Sequence, residues 1–305
     1  MKKIAFIFPG QGSQYVGMGK DFYEQFEESR AVYHKASELL GFDITKIIFE
    51  ENDKLNITEY TQAAMVTTMA AMLAIINTRN IKPDVTAGLS LGEYAALIQS
   101  KVLSTEDAIK LVRKRGICMQ EAVPVGLGSM AAVLGMETQV VESICAETQG
   151  IVSVANYNCP GQVVISGEKE AVEKAMKSLG EAGAKRVLPL NVSGPFHSKM
   201  LETAGEALRE ELSKVTINKP SIPYIANVTA QYVTDNLTIL DLLADQVSSS
   251  VRWQQSIETM IADGVEVFVE IGPGKTLSSF VKKIDKTKTV INIDKVEDLE
   301  KLNQI

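Results

Sequence analysis

The sequence predicts an α/β protein in which a large domain with a parallel sheet is interrupted by a smaller unit. Three observations predict this class. Short apolar runs alternate with helical stretches over the first 121 residues, as in parallel strands joined by helices. Between residues 125 and 194 the order changes to β-α-β-β-α-β. Alternation resumes after residue 195, so both flanks are assigned to one discontinuous domain.

The first flank, residues 1–124, begins with an apolar strand at 3–8 and a glycine-rich loop at 9–19. The apolar run at 63–76 is shorter than the roughly 20 residues of a membrane span, so it predicts a buried helix. In chain order, the further elements predicted for this flank are helices at about 21–41 and 60–79, a strand at 84–88, and helices near 92–99 and 105–121.

The middle segment, residues 125–194, is predicted to be a ferredoxin-like subdomain. Its element order is the signature of that fold. Pro124-Val125-Gly126 and Gly194-Pro195 are the expected hinges on either side. The predicted strands are 128–134, 151–155, 162–166 and 185–190, and the predicted helices are 137–148 and 168–180.

The second flank, residues 195–305, completes the large domain. A polar segment from Lys295 onward is expected to cap it. The predicted helices are 198–214, 238–249, 252–263 and 275–284, and the predicted strands are 223–228, 265–271 and 288–293.

Composition excludes several classes of protein. The net charge of −7 argues against a general nucleic-acid-binding protein, which is usually basic. Three cysteines without a C-x-x-C pair indicate reduced thiols in the cytoplasm. No metal site is suggested. The short apolar run after Met1-Lys2-Lys3 is ended by Pro9, so it predicts a buried strand rather than a signal peptide.

The segment Gly88-Leu89-Ser90-Leu91-Gly92 carries the strongest catalytic signal. It follows a short apolar run and precedes a helix-forming stretch, which is the pattern of a nucleophilic serine on a tight strand-to-helix turn. The alternative is an ordinary turn with Ser90 as a helix N-cap. The flanking elements favour catalysis, and the backbone N–H of Leu91 is then a natural oxyanion donor.

A serine nucleophile needs a base, and the chain has only two histidines. His34 lies in a helical run beside other cations, where a solvated position is expected. His197 follows Gly194-Pro195 at the edge of a new helix and is the predicted base, because a pKa of about 6.5 suits proton transfer near neutrality. No acidic third member is apparent. More than a hundred residues follow His197, which disfavours an ordinary esterase.

Arg115 has two open interpretations. It lies at the basic end of a predicted helix, after Arg113 and Lys114, where cations favour the helix C-terminus. A guanidinium can also bind a substrate carboxylate through paired N–H donors. The sequence pattern alone barely separates the two.

Several separate blocks together resemble the acyltransferase family of fatty acid and polyketide synthesis. The resemblance spans nearly the whole chain and implies a large α/β-hydrolase-like domain interrupted by a ferredoxin-like subdomain. Blocks in the right order are more specific than any single motif. They are Phe8-Pro9-Gly10-Gln11-Gly12-Ser13-Gln14, Gly88 to Tyr94, Met119-Gln120-Glu121-Ala122-Val123-Pro124, Gly194-Pro195-Phe196-His197 and Glu270-Ile271-Gly272-Pro273-Gly274-Lys275.

The resemblance assigns Ser90 as the nucleophile and His197 as the base. It also implies that a backbone carbonyl, at Gln246, orients the histidine in place of an acid. This would explain why no third member is apparent.

The resemblance further implies that Arg115 binds the substrate carboxylate and that the N–H groups of Gln11 and Leu91 stabilise the oxyanion. Phe196 and Leu91 resemble the residues that accompany malonyl rather than methylmalonyl specificity. One departure is Leu89, where the family usually has a histidine beside the nucleophile, so a hydrogen bond at that position is lost.

The implied activity is transfer of a malonyl group from malonyl-CoA to the phosphopantetheine thiol of acyl carrier protein through a malonyl-serine ester, without a cofactor. A cytoplasmic monomer that binds neither nucleic acid nor membranes is expected. Two alternatives stay open. A serine hydrolase or thioesterase is disfavoured by the missing acid and by Arg115; a non-catalytic carrier-protein docking module gains some weight from Leu89.

Acyl carrier proteins are acidic, as this chain is overall, so docking one requires a local cationic patch. Lys185, Arg186 and Lys199 lie near the predicted subdomain junction and are candidates. Simple solvation of three surface cations is the alternative.

Overall fold

The structure, a computed structural model, describes residues 2–79, 81–192 and 194–305; Met1, Asn80 and Ser193 lie outside these ranges. Its helices are α1 (Lys20–Gln25), α2 (Glu27–Leu40), α3 (Ile44–Phe49), α4 (Thr58–Ile76), α5 (Gly92–Gln99), α6 (Thr105–Glu121), α7 (Thr138–Glu147), α8 (Lys169–Glu181), α9 (Glu202–Leu212), α10 (Ile239–Gln246), α11 (Trp253–Ala262) and α12 (Thr276–Ile284). Its strands are β1 (Lys3–Phe8), β2 (Val85–Gly88), β3 (Gly128–Leu134), β4 (Val152–Cys159), β5 (Gln162–Glu168), β6 (Arg186–Pro189), β7 (Tyr224–Ile225), β8 (Tyr232–Val233), β9 (Val265–Ile271) and β10 (Thr289–Ile293).

The larger sheet has the strand order β10-β9-β1-β2-β7-β8. The pairs from β10 through β7 are parallel, and β8 joins β7 in the antiparallel sense. Phe8 lies opposite Gly88, so β1 and β2 end side by side. The loops that leave these two ends carry Gln11 and Ser90, at the edge where open parallel sheets place their ligands.

Both faces of this sheet are covered, as the apolar strands predict. Alternate residues of β1 point to opposite faces. Phe6 and Phe8 belong to a core that includes residues of α2, α4, α6 and α9. Ala5 and Ile7 belong to a second core with residues of α11 and α12. Helix α4 is buried on nearly every side, which confirms the buried helix predicted from its apolar run.

The smaller sheet has the order β4-β5-β3-β6, and its pairs are antiparallel. Its core includes Val133 and Ile165 from the strands, with Val141 of α7 and Leu179 of α8. This is the ferredoxin-like arrangement that the β-α-β-β-α-β order predicts. The α/β class with an inserted ferredoxin-like unit is therefore confirmed, whereas the domain limits at residues 124 and 195 stay a prediction.

The two sheets are joined beside the end of α10. Val251 donates its N–H to Ala155 O at 2.8 Å, and Tyr157 donates to Val251 O at 2.9 Å. The segment between α10 and α11 thus pairs with β4 of the smaller sheet. This segment directly follows Gln246.

Several predicted element boundaries were wrong, and two short elements were missed. The helix predicted at 21–41 is two helices, because Phe26 is extended between α1 and α2. Helix α3 and strand β8 were missed, since six and two residues are too few to show a period. The helix predicted at 198–214 begins as a 3₁₀ turn, Lys199–Leu201. The strand predicted at 223–228 is paired only at Tyr224–Ile225.

Three further findings concern the residues that the structure describes. None of their helices is long and apolar enough to cross a membrane. They contain no group of His, Cys, Asp or Glu side chains arranged to hold a metal ion. The three cysteines are free.

Candidate active site

Ser90 lies on a tight turn between β2 and α5. Its backbone φ is 50°, in the left-handed region that serine rarely occupies. The two glycines of the motif permit this turn. A Cβ on Gly88 would overlap the carbonyl of Gly92, and a Cβ on Gly92 would overlap the carbonyl of Phe8. The spacing of the motif therefore follows from the close packing of α5 on β1 and β2.

The structure brings Ser90 and His197 together across 107 residues of sequence, with Ser90 Oγ 2.7 Å from His197 Nε2. His197 Nδ1 lies 2.8 Å from the backbone oxygen of Gln246. A carbonyl only accepts hydrogen bonds, so Nδ1 carries the proton and Nε2 is free to accept one from the serine. The contact expected at Gln246 is present, and among the described residues no carboxylate takes its place.

The electrostatic environment keeps His197 neutral. Burial, and then the nearby positive charge of Arg115, lower the pKa of His197 to about 4, although its hydrogen bond to Gln246 opposes the shift. A neutral imidazole is the form that can accept a proton. His197 is therefore ready to act as a base throughout the neutral pH range.

Arg115 is buried beneath the turn, at 1% exposure. Its Nη2 donates to Ser90 Oγ at 3.2 Å and to Gln246 Oε1 at 3.0 Å, and its Nη1 donates to Gln62 Oε1 at 2.9 Å. Its guanidinium also lies over the ring of Tyr94. Among the described residues, Nε has no acceptor. This burial disfavours the interpretation of Arg115 as a solvated cation at a helix end.

The backbone N–H groups of Leu91 and Gln11 are the expected oxyanion donors. The N–H of Ser90 itself donates to Asn227 Oδ1 at 2.6 Å. Within the described ranges, no protein group accepts from the N–H of Leu91 or of Gln11. The loop that carries Gln11 lies against the turn, since a Cβ on Gly10 would be 2.6 Å from Leu89 O. The N–H of Leu91 directly follows the serine and the Gln11 loop lies against the turn, whereas the role of both groups as oxyanion donors stays a prediction.

Phe196 directly precedes His197 in the sequence, and Leu89 directly precedes Ser90. Phe196 is buried, at 7% exposure, and a Cβ on Gly194 would lie 3.3 Å from its ring and 3.8 Å from Met119 O. The ring is therefore near the last turn of α6, the helix that carries Arg115. Leu89 is half-buried and packs on the second core, so an apolar contact occupies the position where the family usually has histidine.

Three polar residues at the site were missed by the sequence analysis: Gln62, Glu93 and Asn227. Each is at most 1% exposed. Gln62 and Glu93 are polar side chains inside the buried helices α4 and α5, and that mismatch was a usable signal. Asn227 gave only the weaker signal of a polar residue after an apolar strand.

Glu93 is the most unusual of these residues. Its Oε2 accepts from Gln246 Nε2 at 2.6 Å and from the N–H of Asn227 at 3.2 Å. Burial raises its pKa to about 8, although both hydrogen bonds and the charge of Arg115 oppose the shift. The carboxyl group of Glu93 thus binds both Gln246, whose carbonyl contacts His197, and Asn227, whose side chain binds the Ser90 N–H.

The other sequence candidates lie apart from this site. His34 is exposed, and its Nε2 lies 3.1 Å from the hydroxyl of Tyr23. Arg186 pairs with Leu134 at one end of β3, whereas Gly128 at the other end lies against Pro195. Lys185 and Arg186 therefore lie at the end of β3 away from Pro195, and Lys199 follows His197 by two residues. The docking role expected of these three cations stays a prediction.

Comparison with known proteins identifies the family to which this arrangement belongs. The model of the acyl transferase domain family matches residues 5–299. The chain belongs to the acyl transferase domain family. The family predicted from the sequence blocks is confirmed.

Similar proteins cover the chain almost completely. It is 45% identical to the malonyl CoA-acyl carrier protein transacylase of Bacillus subtilis over 304 residues, covering 98% of this chain and 96% of that protein. The crystal structure of the Clostridium perfringens transacylase of the same name matches with a TM-score of 0.96 and 48% identity, over 99% and 96% of the two chains. A malonyl-transacylase in complex with a type II polyketide synthase acyl carrier protein matches with a TM-score of 0.95 and 37% identity, over 98% of each chain.

Proposed function

We propose that this chain transfers a malonyl group from malonyl-CoA to the phosphopantetheine thiol of acyl carrier protein. One observation carries the proposal. A single oxygen, Ser90 Oγ, contacts a neutral imidazole at 2.7 Å and a buried guanidinium at 3.2 Å. The first contact supplies a base, and the second places a cation beside the reacting atom. The names of the similar proteins supply the acyl group and the carrier.

The substrate carboxylate would bind Arg115. A guanidinium has five N–H donors, and the protein provides acceptors for only some of them, leaving the buried Nε without one among the described residues. A malonyl group carries its carboxylate one methylene from the thioester carbonyl. The same group can therefore reach both the cation and the serine.

The first half-reaction follows from these positions. His197 Nε2 takes the hydroxyl proton as Ser90 Oγ attacks the thioester carbonyl. The oxyanion is stabilised by the N–H groups of Gln11 and Leu91. The C–S bond then breaks, and the CoA sulfur leaves with the proton from His197, which leaves a malonyl-Ser90 ester.

The second half-reaction runs the same chemistry in reverse. The phosphopantetheine thiol gives its proton to His197, attacks the ester carbonyl and displaces Ser90, which takes the proton back. No cofactor takes part. We propose that the large domain, residues 1–124 and 195–305, carries this site, that residues 125–194 form a separate subdomain, and that the protein works as a cytoplasmic monomer.

Specificity for malonyl is proposed to reside in Arg115 and Phe196. Acetyl-CoA would leave the buried guanidinium unpaired, which costs more than a lost contact. The ring of Phe196, near the last turn of α6, would exclude a methyl branch. Since one methylene is worth about 1–3 kcal/mol in such a pocket, the discrimination against methylmalonyl is expected to be modest.

Mass spectrometry of the intact protein tests the proposal. Mixing with malonyl-CoA should add one malonyl group, Ser90→Ala should remove the adduct, and acyl carrier protein bearing its phosphopantetheine arm should discharge it as the malonyl thioester. Parallel samples should give much less adduct with acetyl-CoA, and only modestly less with methylmalonyl-CoA. A chain that forms no adduct is a docking module, and one that releases free malonate faster than it loads the carrier is a hydrolase.

A further inference from the structure

Asn227 lies two residues beyond the end of β7 and is 1% exposed. Its side-chain carboxamide binds both sides of the catalytic turn. Nδ2 donates to Gly88 O at 2.7 Å, and Oδ1 accepts from the N–H of Ser90 at 2.6 Å. These two backbone groups flank Leu89, the residue before the serine.

The register of the sheet explains why these two groups are bound together. Thr86 pairs with Tyr224 and Ala87 with Ile225, and Thr86 donates its N–H to Pro223 O at 3.1 Å. If that parallel register continued, residue 227 would lie opposite Leu89. Its own N–H and carbonyl would then bond Gly88 O and the N–H of Ser90. The side chain of Asn227 makes both of these bonds in place of its backbone.

The backbone of Asn227 is bound elsewhere, because the chain bends away from β2 at this point. Its N–H donates to Glu93 Oε2 at 3.2 Å, and its carbonyl accepts from the N–H of Arg252 at 2.9 Å. This bend is the reason that the predicted strand 223–228 is paired only as far as Ile225. The carboxamide therefore continues the ladder of hydrogen bonds by one residue after the backbone has left it.

This arrangement bears on the strained backbone at Ser90. A serine held at a φ of 50° costs about 1–3 kcal/mol and persists only where its surroundings enforce it. Asn227 enforces it on one side of the turn. On the other side, Gln246 Nε2 donates to Ser90 O at 3.0 Å. Because the Ser90 N–H is already bound, the next N–H, that of Leu91, is the one left for an oxyanion.

We propose that Asn227 is a positioning residue for acyl transfer: its carboxamide substitutes for the missing β7 backbone and holds the Ser90 turn so that Oγ meets His197. The proposal rests on the proposed function, since its readout is acylation of Ser90. Asn227 touches neither Arg115 nor His197 through any hydrogen bond that the described residues make. Substitution should therefore slow the chemical step with little effect on substrate binding.

Single-turnover acylation by malonyl-CoA separates these effects. The amplitude of adduct formation reports the folded, active fraction, and the rate constant at saturation reports positioning. Asn227→Ala should lower that rate constant by about 100-fold, the order expected when a reacting group is displaced by about 1 Å. The concentration of malonyl-CoA that gives half the maximal rate should change less than threefold.

Asn227→Asp supplies a signature that a purely structural role would not produce. A protonated carboxyl has one donor and one acceptor, like the carboxamide, whereas an ionised carboxyl has no donor for Gly88 O. The variant should therefore acylate within about fivefold of wild type at low pH and fall towards Asn227→Ala as pH rises. Wild type should show no such alkaline loss over the same range.

Asn52→Ala is the matched control. Its carboxamide also bridges backbone groups of a turn, through Nδ2 to Ile47 O at 2.8 Å and Oδ1 from the N–H of Leu55 at 3.0 Å, outside the candidate active site. It should lose stability but keep the wild-type acylation rate. A wild-type rate constant in Asn227→Ala, or no pH-dependent recovery in Asn227→Asp, would overturn the positioning role. Absence of any adduct in wild type would instead overturn the proposed function.

Discussion

Arg115 is a buried cation with no carboxylate within ion-pair distance among the described residues. The oxygens that bind it belong to the neutral groups of Gln62, Gln246 and Ser90. Burial lowers its pKa, but a guanidinium keeps its charge at any pH of interest. Neutral partners fix the orientation of the charge without cancelling it. A substrate anion can therefore bind there without displacing a resident carboxylate.

Arg115→Ala is expected to reverse the substrate preference. Each charge-assisted hydrogen bond is worth about 1.5–3 kcal/mol, so losing a paired contact should lower kcat/KM for malonyl-CoA by at least about 100-fold. Acetyl-CoA has no carboxylate, and its kcat/KM should stay within about tenfold. Steady-state rates with both thioesters measure the change, and Lys114→Ala, exposed on the same helix, is the control. Equal losses on both substrates would remove Arg115 from carboxylate binding.

The same charge should govern the pH dependence of the first half-reaction. Because burial and Arg115 lower the pKa of His197 to about 4, the base stays neutral until the pH falls to that value. The acid limb of kcat/KM for acetyl-CoA should therefore lie near pH 4 in wild type, since this parameter reports the free enzyme. Arg115→Ala removes the positive charge and leaves burial as the cause of the lowered pKa. The acid limb should therefore move to a higher pH, towards the ordinary histidine value of about 6.5.

Rates with acetyl-CoA between pH 4 and 8 test this shift, because acetyl has no carboxyl group of its own to titrate. Lys114→Ala should keep the wild-type profile. An acid limb that stays in place when Arg115 is removed would mean that the charge does not act on His197.

Some of the site could be predicted from the sequence, and the rest depended on three-dimensional proximity. Ser90 is marked by glycines whose Cβ atoms would overlap neighbouring backbone, and His197 by the scarcity of histidine. Gln62 and Asn227 carry no local motif, because their partners lie 53 and 137 residues away. The paired hydrogen bonds of Asn227 exist only because the chain leaves the sheet at that residue.

At the scale of elements, the site depends on how closely α5 approaches β1 and β2. Helix α5 begins directly after the turn at Ser90 and is buried along its whole length. Gly92, its first residue, lies against the backbone of Phe8. Only a residue without a side chain permits this contact. The contact sets the distance between the turn and the loop that carries Gln11.

Gly92→Ala is therefore expected to destabilise the fold by more than about 2 kcal/mol, because the added methyl group would overlap backbone atoms that cannot move aside. Gly180→Ala is the matched control, since Gly180 lies inside α8 and a Cβ there would have no atom within 4 Å. That substitution should stabilise the protein by up to about 1 kcal/mol. Urea unfolding followed by circular dichroism measures both. Similar stabilities for the two variants would contradict this account of the motif.

At the scale of the whole molecule, the fold class was easier to predict than the contact that joins the larger sheet to the smaller one. Apolar periodicity gave the parallel sheet and the inserted unit, because it depends on neighbours in sequence. The pairing of Val251 with β4 could not be predicted, because it joins residues almost 100 positions apart. That pairing holds the segment beside Gln246, whose carbonyl binds His197.

Two buried groups at this centre should shape the stability of the whole protein against pH. The pKa of Glu93 is raised to about 8 from 4.5, so the folded state keeps a proton that the unfolded chain releases. The titration of Glu93 should therefore lower the stability of the protein as pH rises from 4.5 to about 8. The pKa of His197 is lowered from 6.5 to about 4, so the unfolded chain binds a proton that the folded state does not. Taken alone, this would lower stability as pH drops from 6.5 to about 4. Between pH 4.5 and 6.5 the two effects oppose each other, which leaves a broad maximum over that range.

Glu93→Gln tests the alkaline side of this maximum. A glutamine resembles the protonated acid and its oxygen can still accept from Gln246 and Asn227, so the variant should unfold at nearly the wild-type temperature near pH 4, where the unfolded chain also keeps most of this proton. At pH 8.5 it should unfold several degrees higher than wild type, because each kcal/mol changes the Tm of a large domain by roughly 2–4 °C. Calorimetric scans at both pH values measure the difference. Glu297→Gln, at an exposed position, is the control and should unfold like wild type at both pH values. If the Tm of Glu93→Gln and of wild type changed equally with pH, the raised pKa of Glu93 would be contradicted.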